Sequence, residues 1–175
     1  MGYSCFTLLL SLAIFFFSFR QSSADLIRQT CKATKYYDLC VSTLKSDSSS
    51  PKADGAKALA LIAVRAAAAN ATATNAYLSA QMLSAAASDM RAALKECADR
   101  YALASEALKS SSLDLSNEMY DYAYMHVMAA ADYPSGCRGA FKRAPGLLIP
   151  PEMALREDGL KRICDVVLGI IDALA

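Results

Sequence analysis

The positions of two cysteines constrain the fold of this chain more than any other feature. Cys97 and Cys137 lie equally far, in opposite directions along the chain, from Asn117, which follows a serine-rich run. If the segments on either side of Asn117 are helices, a turn there forms an antiparallel helical hairpin. The two thiols then lie side by side, at a distance that a disulfide can bridge. The spacing therefore predicts two neighbouring antiparallel helices joined near Asn117.

The segment 116–137, which follows this turn, has the periodicity of an α-helix. One row of apolar residues recurs at intervals of three and four, as on a helix face that packs against a core; it consists of Tyr120, Ala123, Val127, Ala130, Pro134 and Cys137. Other large apolar side chains lie elsewhere around the same helix; they are Tyr122, Tyr124, Met125 and Met128. The pattern predicts either burial on several sides or an aromatic and methionine-rich surface kept for a partner.

Three further segments have helical periodicity. The alanine-rich segment 53–83 has a predicted buried face of Leu59, Ile62, Ala66, Ala69, Ala73, Tyr77, Ala80 and Leu83. The segment capped by Ser88 and Asp89 has an inner face of Leu94, Cys97, Tyr101, Ala104 and Leu108, and the last has Leu160, Ile163, Val167, Ile170 and Leu174. Residues 110–117 are the predicted turn, and Pro134 is expected to kink or restart a third helix that extends to Arg143. These segments predict an all-α, up-and-down four-helix bundle over residues 53–175.

Residues 25–50 carry two helical segments, each too short to be stable alone. Cys31 and Cys40 flank the polar turn between them, so a bridge would hold the segments together as a disulfide-stapled helical hairpin. Cys164 lies among apolar residues of the last helix and is predicted to be a buried free thiol with a raised pKa. A metal site is disfavoured, because the chain has one histidine and no Cys-x-x-Cys motif.

Residues 1–24 are predicted to be a secretory signal peptide. An apolar run is followed by Ser22 and Ala24, which stand at the two small-residue positions that precede a cleavage site. The alternative is a membrane anchor, but the run is short for a membrane span and a cleavage signal follows it. The mature chain would begin at Asp25 and pass through the secretory pathway, where its cysteines can pair.

Charge and motifs argue against several classes of function. Once Arg20 is removed with the signal peptide, the 18 Lys and Arg residues become 17 and equal the 17 Asp and Glu residues. This balance argues against binding to nucleic acid or to an anionic membrane surface. No further apolar run is expected to span a membrane after signal cleavage. The common hydrolase, metalloprotease and nucleotide-binding motifs are absent, and His126 stands alone on an apolar helix. Neither an enzyme nor a bound cofactor is therefore expected.

One modification motif occurs in the mature chain. Asn70, Ala71 and Thr72 form an N-glycosylation sequon. Glycosylation requires that Asn70 faces solvent, and this exposure is expected.

Two motifs resemble a known family. Residues 30–47 read Thr-Cys-Lys-Ala-Thr-Lys-Tyr-Tyr-Asp-Leu-Cys-Val-Ser-Thr-Leu-Lys-Ser-Asp, and a Cys-x3-Tyr-x2-Ala-x3-Leu pattern begins at Cys97. Both resemble the plant invertase/pectin methylesterase inhibitor family, and the resemblance extends over residues 25–175 as one inhibitor domain. It implies a four-helix bundle with a helical hairpin extension. It also implies the disulfides Cys31–Cys40 and Cys97–Cys137, in agreement with the pairing that the helical geometry favours.

Within this family, residues 118–134 and 162–172 look most like cell-wall/vacuolar inhibitors of β-fructosidase. The resemblance implies a secreted, non-catalytic inhibitor that occludes the substrate cleft of a plant acid invertase (β-fructofuranosidase) in the apoplast, the cell wall or the vacuole. Some such inhibitors carry a Pro-Lys-Phe motif that enters the target's active site. Here the matching position is Tyr-Asp-Tyr, so the charge is reversed and the proline is absent. The expected target-binding residues are Met119, Tyr120, Asp121, Tyr122 and Tyr124.

Three other functions compete with invertase inhibition. Pectin methylesterase is the alternative target, because inhibitors of that enzyme share the fold and also lack Pro-Lys-Phe. A carrier of apolar ligands would need an internal cavity, whereas the alanine-rich helices predict close packing. A structural wall protein would inhibit neither enzyme. The resemblance favours an invertase as the target.

Overall fold

The computed structural model describes residues 22–144 and 146–175. Its helices in chain order are α1 (Ser23–Cys31), α2 (Tyr37–Ser46), a short 3-10 helix (Ser50–Lys52), α3 (Ala56–Ser84), α4 (Ser88–Ser116), α5 (Tyr120–Asp132), α6 (Ser135–Arg143) and α7 (Pro151–Asp172). No strand occurs in this described part of the chain. The predicted signal peptide lies outside the described residues, except for residues 22–24.

The helices α1 and α2 form the predicted N-terminal hairpin. Cys31, at the end of α1, is bonded to Cys40 in α2. The buried Thr34 tightens the turn between them by donating its hydroxyl to the Cys31 carbonyl at 2.8 Å. The helix α1 begins before the predicted mature start, because Ser22 caps it by accepting a hydrogen bond from the Asp25 backbone N–H at 3.2 Å. The hairpin packs against α3 and α7, and so its own small core is completed by the bundle.

The remaining helices form a four-helix bundle. Packing runs in a closed ring from α3 to α4, α5, α7 and back to α3. The links 85–87 and 117–119 are only three residues long, so consecutive helices must run antiparallel. Polar side chains join the two longest helices: the Asn75 side-chain amide donates to the Ala98 carbonyl at 2.6 Å, and the Thr72 and Ser105 hydroxyls lie 3.0 Å apart. The predicted up-and-down bundle is confirmed.

The third helix of the bundle is interrupted at Pro134, as the sequence predicts. The helix α5 ends at Asp132, and α6 begins at Ser135, directly after Pro134. Proline has no backbone N–H to donate to the preceding turn, and its ring excludes the carbonyl four residues earlier. The Ser135 hydroxyl donates to the Asp132 carbonyl at 2.7 Å and so satisfies one group at the end of α5. The helix α6 packs on α4, to which the disulfide between Cys97 and Cys137 binds it.

The predicted buried face of α3 is right at its start and wrong towards its end. Leu59 and Ile62 are buried as expected, but the side chains of four predicted positions are exposed; they are Ala69, Ala73, Ala80 and Leu83. The buried set is instead Leu59, Ala60, Ile62, Ala63, Val64, Ala67, Ala71, Thr74 and Leu78. Because α3 contacts α4, α7 and the hairpin on different sides, no single stripe describes it.

The helix α3 also corrects the expectation about membrane spans. Within the described residues, α3 is long and apolar enough, by length and composition, to cross a membrane, so a second such run does exist. In the structure α3 contacts α4, α7 and the hairpin, and its buried side chains, among them Leu59, Ile62, Val64 and Leu78, join the core. A helix buried in a bundle passes the same length and composition test.

Gly169 provides a test of the contact between the hairpin and α7. A Cβ atom on Gly169 would lie 2.9 Å from the Ala33 carbonyl oxygen and 3.0 Å from the Thr34 Cα. Because these are backbone atoms, Gly169→Ala must push the hairpin turn away, and we expect it to lower the free energy of unfolding by about 1–3 kcal/mol. Gly159→Ala, on the same helix, where a Cβ atom would meet nothing within 4 Å beyond its own helix, should raise it by about 0.5–1 kcal/mol. Urea unfolding of both variants measures the two effects. Changes of the same sign in the free energy of unfolding would contradict this packing.

Candidate functional site

The turn between α4 and α5 places the predicted target-binding residues at one end of the bundle. Glu118 adopts a left-handed conformation with φ 61°. Its N–H bonds to the Leu115 carbonyl at 3.2 Å, and the Met119 N–H bonds to the Asp114 carbonyl at 2.9 Å. This pair of bonds is the Schellman arrangement, which ends a helix sharply. A non-glycine residue in this conformation costs on the order of 1 kcal/mol, so the surrounding contacts must hold the turn in place.

One of these contacts comes from the start of α3. The Lys57 ammonium donates to the Glu118 carboxylate at 2.7 Å. Lys57 and Glu118 are distant in the sequence, and this pair links the α4–α5 turn to the start of α3. Both side chains are substantially exposed, so the pair orients the turn more than it stabilises the fold.

A second contact sets the rotation of α5 about its axis. His126 Nδ1 lies 2.7 Å from a carboxylate oxygen of Asp114 on α4. The Asp114 side chain is largely buried, whereas that of His126 is 41% exposed. The single histidine of the chain therefore joins α5 to α4, and its geometry is that of a structural residue that positions the rest of the helix.

Three of the predicted target-binding residues line one cleft. Tyr120, Asp121 and Tyr124, together with Met125, face the end of α7 across an open cleft of about 320 Å³. Tyr120 and Tyr124 are half-buried and pack against the core, so each contributes both to the scaffold and to the surface. Asp121 is exposed in the first turn of α5, where the positive end of the helix dipole favours a carboxylate. The cleft therefore combines two aromatic walls with a negative charge.

The other two predicted residues do not line this cleft, and Tyr122, about 200° around the helix from Tyr120, lies on the side of α5 away from it. Tyr122 is 61% exposed and Met119 is 41% exposed. Met125, which lines the cleft, and Met128, one turn further along α5, are also exposed. We refer to Met119, Tyr120, Asp121, Tyr122, Tyr124 and Met125, which surround the first two turns of α5, as the α5 face. Of the two interpretations of this helix, burial on several sides accounts only for Tyr120 and Tyr124, and the rest is surface.

Comparison with known proteins identifies the family. The family description "Plant invertase/pectin methylesterase inhibitor" matches residues 25–170, nearly the whole chain after the predicted signal peptide. The chain belongs to this family. The N-terminal disulfide hairpin and the second disulfide between Cys97 and Cys137 are thus parts of a plant inhibitor domain.

Two relatives of this inhibitor domain have different named targets. The chain is 46% identical over 159 residues to cell wall / vacuolar inhibitor of fructosidase 2 from Arabidopsis thaliana, covering 90% of this chain and 87% of that protein. It is 41% identical over 160 residues to pectinesterase inhibitor 28 from Oryza sativa subsp. japonica, covering 87% of this chain and 70% of that protein. Sequence similarity therefore extends to inhibitors of both enzyme classes.

Solved structures show the same fold. A crystal structure of a mutant form of a pectin methylesterase inhibitor from Arabidopsis matches with a TM-score of 0.66 at 22% identity, covering 87% of this chain and 97% of that one. A second, of a pectin methylesterase inhibitor from Arabidopsis thaliana, matches with a TM-score of 0.62 at 21% identity. At this identity the likeness concerns the fold of the inhibitor domain.

Some of the residues that build this site were not predicted from the sequence. Ile171, Asp172 and Ala175 form the opposite wall of the cleft, at and after the end of α7. Lys57 secures the turn before α5. These residues are distant in sequence from α5, so no local periodicity or spacing signals their position. Asp172 adds a second carboxylate to the cleft, which makes this end of the inhibitor domain acidic.

The cysteine and metal predictions concern other parts of the molecule. Cys164 is buried on α7, and burial, with a smaller contribution from the neighbouring Asp165, raises the pKa of its thiol to about 12. Such a thiol is unreactive at the pH of the cell wall or of the cytosol. The described residues contain no group of histidine, cysteine and carboxylate side chains that could hold a metal ion.

The ion pair at the turn predicts a specific titration. The Lys57 ammonium holds the pKa of the Glu118 carboxyl below its ordinary value of 4.5, by a hydrogen bond and by its charge. Because the folded pKa is the lower one, the pair's stabilisation is present above the unfolded pKa and is lost as the pH falls through the folded pKa. An NMR titration should place the Glu118 midpoint below 4.5, and Lys57→Met should raise it. Lys109→Met is the matched control on another exposed pair, and a Glu118 midpoint that does not respond to Lys57→Met would contradict the contact.

Proposed function

We propose that this protein is a secreted inhibitor of a plant acid invertase, and that it acts by covering the enzyme's substrate cleft. The observation that carries the proposal is the 46% identity, over nearly the whole chain, to a relative named as an inhibitor of fructosidase. The function requires neither catalysis nor a cofactor, because a bound protein that excludes sucrose is sufficient. The site of action would be the apoplast, the cell wall or the vacuole, since the relative is named for the wall and the vacuole.

The α5 face is the surface that we assign to the enzyme. Tyrosine and methionine are enriched at the cores of protein interfaces, and a few such side chains usually carry most of the binding free energy. Tyr122 and Met125 offer more than half of their surface to a partner. Tyr120 and Tyr124 pack against the core on one side, so they present a rigid wall and lose little conformational freedom on binding.

The rigidity of the turn supports this assignment. The Schellman bonds, the Lys57–Glu118 pair and the His126–Asp114 contact fix both the start of α5 and its rotation. A surface that is ordered before binding gains affinity, because it does not have to be ordered by the partner.

The charge of the α5 face distinguishes this protein from inhibitors that carry Pro-Lys-Phe at the matching position. Asp121 and Asp172 are both exposed at the cleft. A partner group that meets them must be a cation or a hydrogen-bond donor, since an unpaired carboxylate in an interface is costly. We therefore propose that Asp121 pairs with a basic or hydrogen-bonding group at the rim of the enzyme's cleft and does not approach the pair of catalytic carboxylates that glycoside hydrolases generally use.

Pectin methylesterase is the second candidate target. It is favoured by the 41% identity to a relative named as a pectinesterase inhibitor. On this alternative the same bundle would bind a different enzyme, through the helix faces around its second and third helices, α4 and α5.

An assay of the purified mature protein against both enzymes tests the proposal. We expect sucrose hydrolysis by acid invertase to be inhibited at an inhibitor concentration that leaves pectin demethylation unchanged. Inhibition of demethylation alone would establish the alternative target, and inhibition of neither enzyme would refute both. Heat-denatured protein is the control for effects of added protein on the assays.

A further inference from the structure

A second and larger cleft lies between the hairpin and α7. Its lining residues are distant in the sequence from the α5 face. Its volume is about 710 Å³, within the range of small-molecule binding sites. The hairpin contributes residues 35–39, and α7 contributes residues around its middle. The α3 helix contributes one residue, Asn70, the asparagine of the glycosylation sequon.

The walls of this hairpin cleft combine apolar and polar groups. Leu155 is 69% exposed and Tyr37 is 39% exposed, so a leucine side chain and an aromatic ring are presented to solvent there. Arg162 is paired with Asp158 at 2.7 Å, and its guanidinium lies 5.6 Å from the centre of the Tyr36 ring. A sugar ring matches such a surface, because its CH faces pack on aromatic and aliphatic side chains while its hydroxyl and acetamido groups bond to carboxylate and guanidinium groups.

The position of Asn70 makes it available for modification. Asn70 is exposed although it lies in the middle of α3, and a sequon is normally found at the surface of a secreted protein. The Thr72 hydroxyl contacts Ser105 in the folded protein, but glycan transfer takes place on the nascent chain before that contact forms. Nothing in the fold therefore opposes a glycan at this asparagine.

We propose that Asn70 carries an N-linked glycan and that its first sugar residues lie in the hairpin cleft. In the transfer, the side-chain nitrogen of Asn70 forms a bond to the anomeric carbon of an N-acetylglucosamine at the end of a lipid-diphosphate oligosaccharide. The bond from that carbon to the lipid diphosphate breaks, the diphosphate leaves with the electron pair, and the amide nitrogen loses one proton. The attached sugars then cover Tyr37 and Leu155, which no protein segment in the described part of the chain covers.

The proposal is tested on the full-length protein made in a secretory plant or yeast host. Intact-mass spectrometry should show a glycan on the wild type and none on Asn70→Gln. The glycan should raise the melting temperature by about 2–4 °C, the shift expected from a modest stabilisation of a chain of this size. Hydrogen exchange should be slower with the glycan at residues 36–39 and 155–163, and unchanged at the α5 face.

A relocated glycan separates packing in the cleft from a general effect of glycosylation. Ala86→Asn, combined with Asn70→Gln, creates a sequon in the exposed link between α3 and α4, where residues 86–88 are all exposed. We expect this variant to be glycosylated but to show neither the temperature shift nor the local protection. An unmodified wild type, an unprotected cleft in the modified wild type, or equal stabilisation by the relocated glycan would each overturn the proposal.

Discussion

Replacement of both Cys97 and Cys137 by alanine is expected to lower the free energy of unfolding by about 4 kcal/mol. The two cysteines are separated by 40 positions, whereas Cys31 and Cys40 are separated by 9. The entropy that a disulfide removes from the unfolded chain grows with the logarithm of the loop length, so loss of the shorter loop should cost about 2.5–3 kcal/mol. For a protein of this size, 4 kcal/mol is a large part of the total stability.

Urea unfolding of both double variants in the absence of reducing agent measures these values. The variant that lacks the Cys97–Cys137 bridge should unfold at the lower urea concentration, and its unfolded state should be more expanded, with a larger dependence of the free energy on urea. If the two variants had equal urea midpoints, or if the variant without the Cys97–Cys137 bridge were the more stable one, the native contacts of α6 would outweigh the entropy of the longer loop. The loop closed by Cys97 and Cys137 contains the whole of α5. Loss of this disulfide should therefore also make the α5 face less ordered, whereas loss of the Cys31–Cys40 disulfide should not.

The cysteine spacing predicted the topology because it depends on few assumptions. Only a turn near Asn117 and helical geometry on both sides are needed to bring Cys97 and Cys137 together, and the structure has both. The break at Pro134 was predictable for a similar reason, since the missing N–H of proline acts locally and in any context.

The predicted extent of the α4–α5 turn was wrong because tertiary packing prevailed over local preference. The serine-rich residues 110–117 suggest a turn, but α4 continues to Ser116. Leu108, Ser111 and Leu115 are all buried, and their spacing of three and four continues the inner face of the helix. Serine is only mildly unfavourable in a helix, so burial of the leucine side chains outweighs it. The buried face of α3 was misassigned because alanine occurs on all sides of that helix and does not mark a core.

From the sequence, the α5 face could be recognised only as an excess of large apolar residues beyond the row that faces the core. Tyr122 and Met125 lie outside the periodic row that fills the core, and the structure leaves both exposed. The opposite wall of the cleft, at the end of α7, depends on how two helices that are distant in the sequence pack together. The spacing of residues in the sequence does not predict that packing. The same holds for Asn70 and the hairpin cleft. The sequon can be read directly from the sequence, whereas the residues around Asn70 in the cleft come from distant segments and cannot be predicted from it.

Substitution of Tyr122 by alanine is expected to reduce the affinity for acid invertase by about 30-fold or more. An interface anchor of this kind contributes at least about 2 kcal/mol to binding, and that free energy corresponds to about this factor. Because Tyr122 is 61% exposed, its removal should change the free energy of unfolding by less than about 0.5 kcal/mol. The inhibition constant, measured from sucrose hydrolysis at several inhibitor concentrations, should therefore change while the urea midpoint does not.

The choice of Tyr122 separates the binding role of the α5 face from its structural role. Tyr120→Ala would remove a half-buried side chain from the core as well as from the surface, so weaker inhibition by that variant could arise from either loss. Tyr37→Ala is the matched control when all the compared proteins also carry Asn70→Gln and so lack the glycan proposed to cover Tyr37. It makes the same chemical change at a tyrosine of the hairpin that is 39% exposed, and it should leave inhibition unchanged. If Tyr122→Ala inhibits as well as the wild type while Tyr37→Ala does not, the hairpin rather than the α5 face contacts the enzyme. If neither substitution weakens inhibition, Tyr122 is not an anchor, and the assignment of the α5 face to the enzyme is wrong.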